Sequence, residues 1–455
     1  MDAIVLPRCC LCVVVAALAL IVVALAGCAA PPTVPALSAP SVASAPAPTA
    51  AASSTAGPST SVVSTPLMPA DAADGAELQQ RFAAWVAAFR DTARAAGIDE
   101  TTLHAAFDGV QYLPRVVELD RTQPEFTRTV WDYLDRVVSA QRVAQGRDEL
   151  LQVRVEADAA AARYGVAPQI AVAIWGIESN YGSNFGSIPT IDALSTLGFD
   201  GRREDWARGQ LLAALKILQS GDIPRADMIG SWAGAMGQTQ FLPTTFLAYA
   251  VDGDGDGRRD IWGSMSDVMA STANFLARSG WQPGQTWGTE VRLPPGFDPA
   301  RADDALRQAT VAWAAEGVRT ISGEPLPEFV DGAILLPAGA RGPAFLVGAN
   351  FRALLRYNNS TSYALAVGLL AQRLVDGPDV QAPWPRDLQA LTRSQLQTLQ
   401  AALNEHGMAS GKADGQMGPA TRQAIRRYQR SIGLPADGYP TLDLLQRLQP
   451  KENPP

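Results

Sequence analysis

Histidine is almost missing from this 455-residue chain, and cysteine is missing from everything beyond residue 28. The two histidines, His104 and His406, stand in regions with no other catalytic signature. That argues against a Ser-His-Asp or Cys-His hydrolase and against a His-ligated zinc site. The four cysteines are Cys9, Cys10, Cys12 and Cys28, so the body of the protein has no disulfide, no thiol nucleophile and no thiolate metal site. Dense Lys/Arg patches are lacking and the formal net charge is -8, which argues against nucleic acid as the main partner. Carboxylates are the acid-base groups that remain. Hydrophobic residues make up 47% of the chain, enough for a sizeable core, and the length predicts two or three domains.

After Arg8 the run CCLCVVVAALALIVVALA carries no charge and leads into Gly27-Cys28. Its length suits a signal peptide or a membrane anchor helix. The ending Leu25-Ala26-Gly27-Cys28 resembles the lipobox of bacterial lipoproteins, in which the cysteine is lipidated, although the n-region offers only Asp2 and Arg8. The expected organisation is a lipoprotein signal peptide over 1–27 with Cys28 as the lipidation site, an uncleaved anchor being the alternative. Either places the body outside the cytoplasmic membrane. With Ala rather than Asp at position 29, the expected location is periplasmic, lipid-anchored and at the outer membrane. Residues 28–75 are rich in Ala, Pro, Ser and Thr and carry no charge before Asp71, so a disordered tether is expected there.

From Glu77 a helical period sets in through Phe82, Trp85 and Phe89. Further helices are expected over 99–108, about 125–144 (Phe126, Val130, Tyr133, Val137) and 148–164, their aromatic stripes reading as core. They lead to PQIAVAIWGIESNYG, residues 168–182, where an apolar run ends on one carboxylate, Glu178. Low-dielectric surroundings raise a carboxyl pKa, as a general acid near neutral pH requires. A helix-end cap or salt bridge is the alternative for Glu178 at this point. EDWARGQLLAALKILQ, residues 204–219, predicts another helix. GSWAGAMGQTQFLPTTFLAYA, residues 230–250, combines small residues with Gln238, Gln240, Trp232 and Phe241, a mixture that suits a sugar or tight helix packing.

Asp252-Gly-Asp254-Gly-Asp256-Gly257-Arg258 matches the opening of an EF-hand-like calcium loop, with Arg258 contributing its carbonyl. Gly263 stands where a bidentate Glu belongs, and Asp267 could close a longer loop. A calcium ion here would be structural; the alternative is an acidic turn that binds nothing specific. Residues 286–347 predict a small β excursion around 289–294, 333–337 and 344–347. Tyr357, Asn358, Asn359 and Tyr363 form a polar knot between apolar segments, facing a cleft or satisfying buried backbone. A linker over 379–387 precedes a three-helix unit, 388–450, whose expected stripes are Leu396, Leu399, Leu403; Ile425, Tyr428, Ile432; and Leu442, Leu445, Leu448. So small a unit without a catalytic cluster reads as a binding module.

Residues 77 to about 376 resemble the membrane-bound lytic murein transglycosylases of the B type, glycoside hydrolase family 103. The resemblance rests on IWGIESNYG, GSWAGAMGQTQFLP, DGDGDGRRDIW and RYNNSTSYALAV, in that order. The C-terminal unit resembles the common peptidoglycan-binding domain through its LQxxLNxxG helix, DGxxGPxT turn and AIRRYQ helix. The resemblance implies a mainly α, lysozyme-like catalytic domain over 76–378. It implies Glu178 as sole catalytic acid/base and Ser231, Gln240, Tyr357, Asn358 and Tyr363 along a glycan cleft. It also implies Asp252, Asp254, Asp256, the Arg258 carbonyl and Asp267 around structural calcium, with no cofactor for the chemistry. Ordinary glycoside hydrolysis needs two carboxylates. One suffices if the substrate supplies its own nucleophile, so the expected reaction cleaves the β-1,4 bond after N-acetylmuramic acid and closes a 1,6-anhydro ring. A hydrolytic muramidase and a noncatalytic peptidoglycan-binding scaffold are the alternatives.

Overall fold

In the computed structural model, residues 69–122 and 128–449 are described, with side chains from 74 onward. Cys28, the apolar run before it, most of the expected tether and Phe126 lie outside the described residues. Among the described residues no helix is long and apolar enough to cross a membrane. The first helix is Pro69–Ala95, so the end of the expected tether, 69–75, is helical. Its alanine content explains the extension, since alanine is the best helix former.

The helical period continues as expected through Glu100–Phe107, but the chain beyond it is more broken than its sequence pattern suggests. The stretches 125–144 and 148–164 become Val130–Val137, Ala140–Gln152 and Arg154–Tyr164. Ser139 makes the first break by accepting the Arg142 N–H and starting a new helix. Helices not anticipated include Pro114–Arg121, Thr190–Asp200 and Met265–Arg278. Thr190–Asp200 is buried along most of its length and includes Asp192, paired with Arg225, so it shows no amphipathic period to read.

At the centre lies Pro168–Ser179. Proline at its start is compatible with the first turn, whose N–H groups have no helical acceptor. The helix is apolar on every side, and Ile170 through Gly176 are all buried. It packs against Thr361–Leu374, Ala140–Gln152, Arg154–Tyr164 and Met265–Arg278. Burial therefore outweighs the modest helix propensity of its β-branched residues. Termination is abrupt, because Asn180 and Tyr181 both take left-handed backbone, at φ 50 and 55. Each such residue costs about 1–2 kcal/mol, least for asparagine. Tyr181 is held there by burial, by donating its hydroxyl to the Arg142 carbonyl at 3.0 Å, and by fitting over Gly146 and Gly176. A Cβ on either glycine would run into its ring or hydroxyl.

The β excursion is a four-stranded antiparallel sheet ordered Arg319–Thr320, Gly288–Arg292, Ala344–Val347, Ala333–Leu335. Val347 pairs with both Gly288 and Ala333, and a separate small core forms around Trp313, Phe329 and Leu346. The C-terminal helices are Arg393–Glu405, Pro419–Ser431 and Leu442–Leu448. Two of their expected core residues are corrected: Ile432, beyond the helix end, and Leu442, at a helix start, are exposed. Leu444 takes the inward place.

This unit is seated on the β excursion. Arg426, 3% exposed, pairs with Asp303 and donates to the Ala302 carbonyl at 2.6 Å, while Ala340 N–H donates to Asp437 at 2.9 Å. The segment 379–387 is likewise pinned, through Gln381 and Ala382 N–H groups on Glu290, each at 2.8 Å, and through Arg386 on Asp135.

Candidate active site

Glu178 occupies the last turn of the central helix, so the apolar run that buries the helix also delivers the carboxyl. Tyr363, 2% exposed in the first turn of Thr361–Leu374, donates its hydroxyl to Glu178 Oε1 at 2.7 Å. Loss of hydration pushes the Glu178 carboxyl up to about 7, against a smaller opposing effect of the Tyr363 bond, which favours the carboxylate. No second carboxylate among the described residues is close enough to shift it. Salt bridging, the alternative role, finds no support: Glu178 has no cationic partner among the described residues. A carboxyl poised near neutrality with one oxygen fixed can both release and regain a proton.

Tyr357 stacks on Tyr363, with ring centroids 6.4 Å apart and an interplanar angle of 13°, and donates its hydroxyl to the Thr239 carbonyl at 2.8 Å. Burial first, then the neighbouring Glu178 charge, raises both phenols well above their ordinary range, so both remain proton donors. The polar knot is thus a wall of the Glu178 site. Asn358 ends Ala349–Tyr357 in extended backbone and is partly exposed.

The segment 229–242 forms the facing wall. Ile229–Gly230 pairs with Ile188–Pro189, and an added Cβ on Gly230 or Gly186 would strike backbone. These glycines are therefore explained by tight backbone crossing. Gln240 sits at φ 51 and gives both amide hydrogens to carbonyls, Phe185 and Gly237, each at 2.9 Å, so its amide oxygen is the group left for a ligand. Ser231 is buried and its hydroxyl accepts the Ala235 N–H at 3.1 Å. Two neighbours are corrected. Gln238 is buried as a brace, accepting from Trp175 Nε1 and donating to the Trp262 carbonyl, both at 2.7 Å. Phe241 is core, packed against Phe275 and Tyr357 rather than offering an open face.

The aromatic stripe marks Tyr133 as core alone, and the structure adds a second role. Its phenol is pushed up to about 12 by burial and then by the charge of Glu178, which places it beside the site. The signal available in sequence is a tyrosine, with its polar end, on a stripe otherwise apolar.

In the aspartate loop, one oxygen each of Asp252, Asp254 and Asp256 lie within 4.8 Å of one another. Gly257 supplies the turn at φ 90. Asp267 stands outside this group. Its two oxygens accept the Gly253 and Asp260 N–H groups, both at 2.6 Å, and burial pushes it up to about 6. Asp267 therefore closes the loop through backbone, while the three converging carboxylates are hard donors that fit a calcium ion.

Residues 81–372 match the transglycosylase SLT domain. The chain belongs to that family. Its SLT domain has lysozyme-like neighbours, and residues 392–448 match a peptidoglycan binding domain. SltB3 from Pseudomonas aeruginosa, solved in complex with NAG-anhNAM-pentapeptide, is 54% identical with a TM-score of 0.79, covering 81% of this chain and 99% of that one. The lytic transglycosylase Slt35 of Escherichia coli, solved with calcium, is 28% identical with a TM-score of 0.55, over 65% of this chain and 92% of that one. The membrane-bound lytic murein transglycosylase B of Escherichia coli (strain K12) is 34% identical over 216 residues, 46% of this chain. The alignment spans 57% of that relative's length.

Because the Tyr363 bond favours the ionised acid, Tyr363→Phe is expected to raise the Glu178 pKa further above 7, by about half a unit to one unit. Carboxyl-carbon NMR titration of the folded variant checks this; a downward shift contradicts the assigned donor.

Proposed function

We propose that this chain is a peptidoglycan lytic transglycosylase that cleaves the β-1,4 bond between N-acetylmuramic acid and N-acetylglucosamine and leaves 1,6-anhydromuramic ends. The observation that carries the reading is the Glu178 carboxyl, pushed up to about 7 beside a wall of neutral phenols, with no second carboxylate among the described residues shifting it. SltB3 was solved in complex with NAG-anhNAM-pentapeptide and with NAG-NAM-pentapeptide, and the anhydro end of the first is the kind of end this reaction leaves, which supports the reading by likeness.

Glu178 first gives its proton to the bridging oxygen as the bond to the muramic C1 breaks and positive charge develops on the ring. The C6 hydroxyl of the same sugar then attacks C1, and the Glu178 carboxylate takes the hydroxyl proton. No water is consumed, and Glu178 ends protonated as it began. Tyr363 holds the carboxyl in register throughout, by a bond that strengthens as charge appears on the acid. Tyr357, Asn358, Ser231 and the Gln240 amide oxygen are the groups that orient sugar. The C-terminal unit holds the strand as a peptidoglycan-binding module. Cys28 anchors the protein by lipid to the outer membrane from the periplasmic side, in keeping with the membrane-bound relative. Calcium on Asp252, Asp254, Asp256 and the Arg258 carbonyl stabilises the loop, in keeping with the calcium complex of Slt35.

Glu178→Gln is expected to lower murein solubilisation by about two to four orders of magnitude. In the wild type, kcat/KM falls as pH rises through about 7, where the acid loses its proton. A raised folded-state pKa contributes stability that is full below the unfolded value and lost as pH rises through 7. At pH 8 the Gln variant is therefore more stable than the wild type, on the order of 2 kcal/mol, so its inactivity is not unfolding. Mass spectrometry of wild-type products should show muramic ends one water lighter than a reducing end. Reducing ends would establish the muramidase, and unchanged solubilisation by Glu178→Gln the noncatalytic scaffold.

Calcium added to chelator-treated protein should raise Tm saturably, and Asp254→Asn should blunt the rise. A Tm indifferent to calcium removes the ion from the loop.

A further inference from the structure

Arg142 lies beside the turn that follows Glu178, and among the described residues no carboxylate answers its charge. The side chain is half-buried on Ala140–Gln152, and its Nη2 donates to Asn180 Oδ1 at 3.2 Å, two residues beyond Glu178. That is the single side-chain hydrogen bond of this guanidinium among the described residues, although the group carries five N–H donors. Among the described residues no carboxylate pairs with it, and the charge of another cation, Arg136, acts against it. Burial disfavours its ionised form. Tyr133 feels the charges of both Glu178 and Arg142, so acid and guanidinium share that phenol as a neighbour. Beside it, the turn Asn180–Asn184, exposed at Ser183 and Asn184, is internally bonded: Asn180 Nδ2 donates to Ser183 Oγ, which donates to the Asn180 carbonyl, both at 2.7 Å. The turn leaves no acceptor committed to the remaining guanidinium donors.

A half-buried cation with no counter-charge costs the folded protein free energy unless a ligand supplies the partner. Its planar fork matches a carboxylate. Resting on the peptidoglycan reading above, we infer that Arg142 is a specificity residue that pairs with a free carboxylate of the peptide stem carried by the muramic acid next to the scissile bond. Neutral glycan hydroxyls would leave the charge unpaired, whereas the stem is the anionic part of the polymer. The turn that fixes Glu178 thereby also fixes the stem-reading group, since Asn180 bonds Arg142 and ends the Glu178 helix.

The test compares kcat/KM on glycan strands bearing stems with kcat/KM on strands stripped of them, and reads the ratio. Arg142→Gln is expected to lower that ratio about tenfold, and Arg142→Lys to lower it less. A ratio unchanged by Arg142→Gln, with both rates falling together, shows a purely positioning role and overturns the inference. Should Arg142→Gln fail to fold, wild-type enzyme on strands whose stem carboxylates are amidated gives the same reading: a tenfold loss relative to unmodified stems supports the pairing, and no loss overturns it. Anhydro ends released by the wild type from either substrate secure the underlying reaction independently of the ratio.

Discussion

An acid placed at the end of an apolar helix faces two opposing demands, and the hydrogen bond from Tyr363 to Glu178 is where they meet. Burial favours the protonated carboxyl, while the phenol favours the carboxylate, and the balance near 7 leaves both states accessible to one residue. A reaction in which the same carboxyl is acid and then base requires that balance. The bond spans elements far apart in the chain, so the packing of Pro168–Ser179 on Thr361–Leu374 is a condition of the chemistry.

Much of the surrounding architecture serves to hold that geometry. The left-handed Asn180 and Tyr181 stop the helix just past Glu178, and the strain is sustained by the Tyr181 hydroxyl, by the two glycines beneath its ring and by Arg142. Gln238 ties the helix to the facing wall through Trp175 and Trp262. Gln240, in its own left-handed turn, is fixed by two carbonyls before any ligand arrives. Preorganised polar groups of this kind need no rearrangement at the moment of reaction.

How far the sequence foretold this depends on the kind of signal. The helix carrying Glu178 was legible because a continuous apolar run opening on proline and ending on one acid has few other solutions, and the upward pKa followed from the same run. The β excursion was legible from its short branched segments. Partners distant in the chain were not: nothing in RYNNSTSYALAV says that Tyr363 rather than Tyr357 reaches the acid. Gln238 and Gln240 share one composition signal, yet Gln238 braces the core while Gln240, at φ 51, spends its amide hydrogens on two nearby carbonyls. Thr190–Asp200 was invisible because a helix buried nearly all round has no polar face to give a period. Ile432 and Leu442 misled because periodicity was carried to a helix's first residue and past another's last.

In the proposed reaction the nucleophile closing on the muramic C1 comes from the sugar itself, and water takes no part. Digestion of murein in water enriched with oxygen-18 tests this most directly. Muramic ends released by the enzyme are predicted to contain none of the label. Label incorporated at C1 in proportion to bonds cleaved would make the protein a hydrolase.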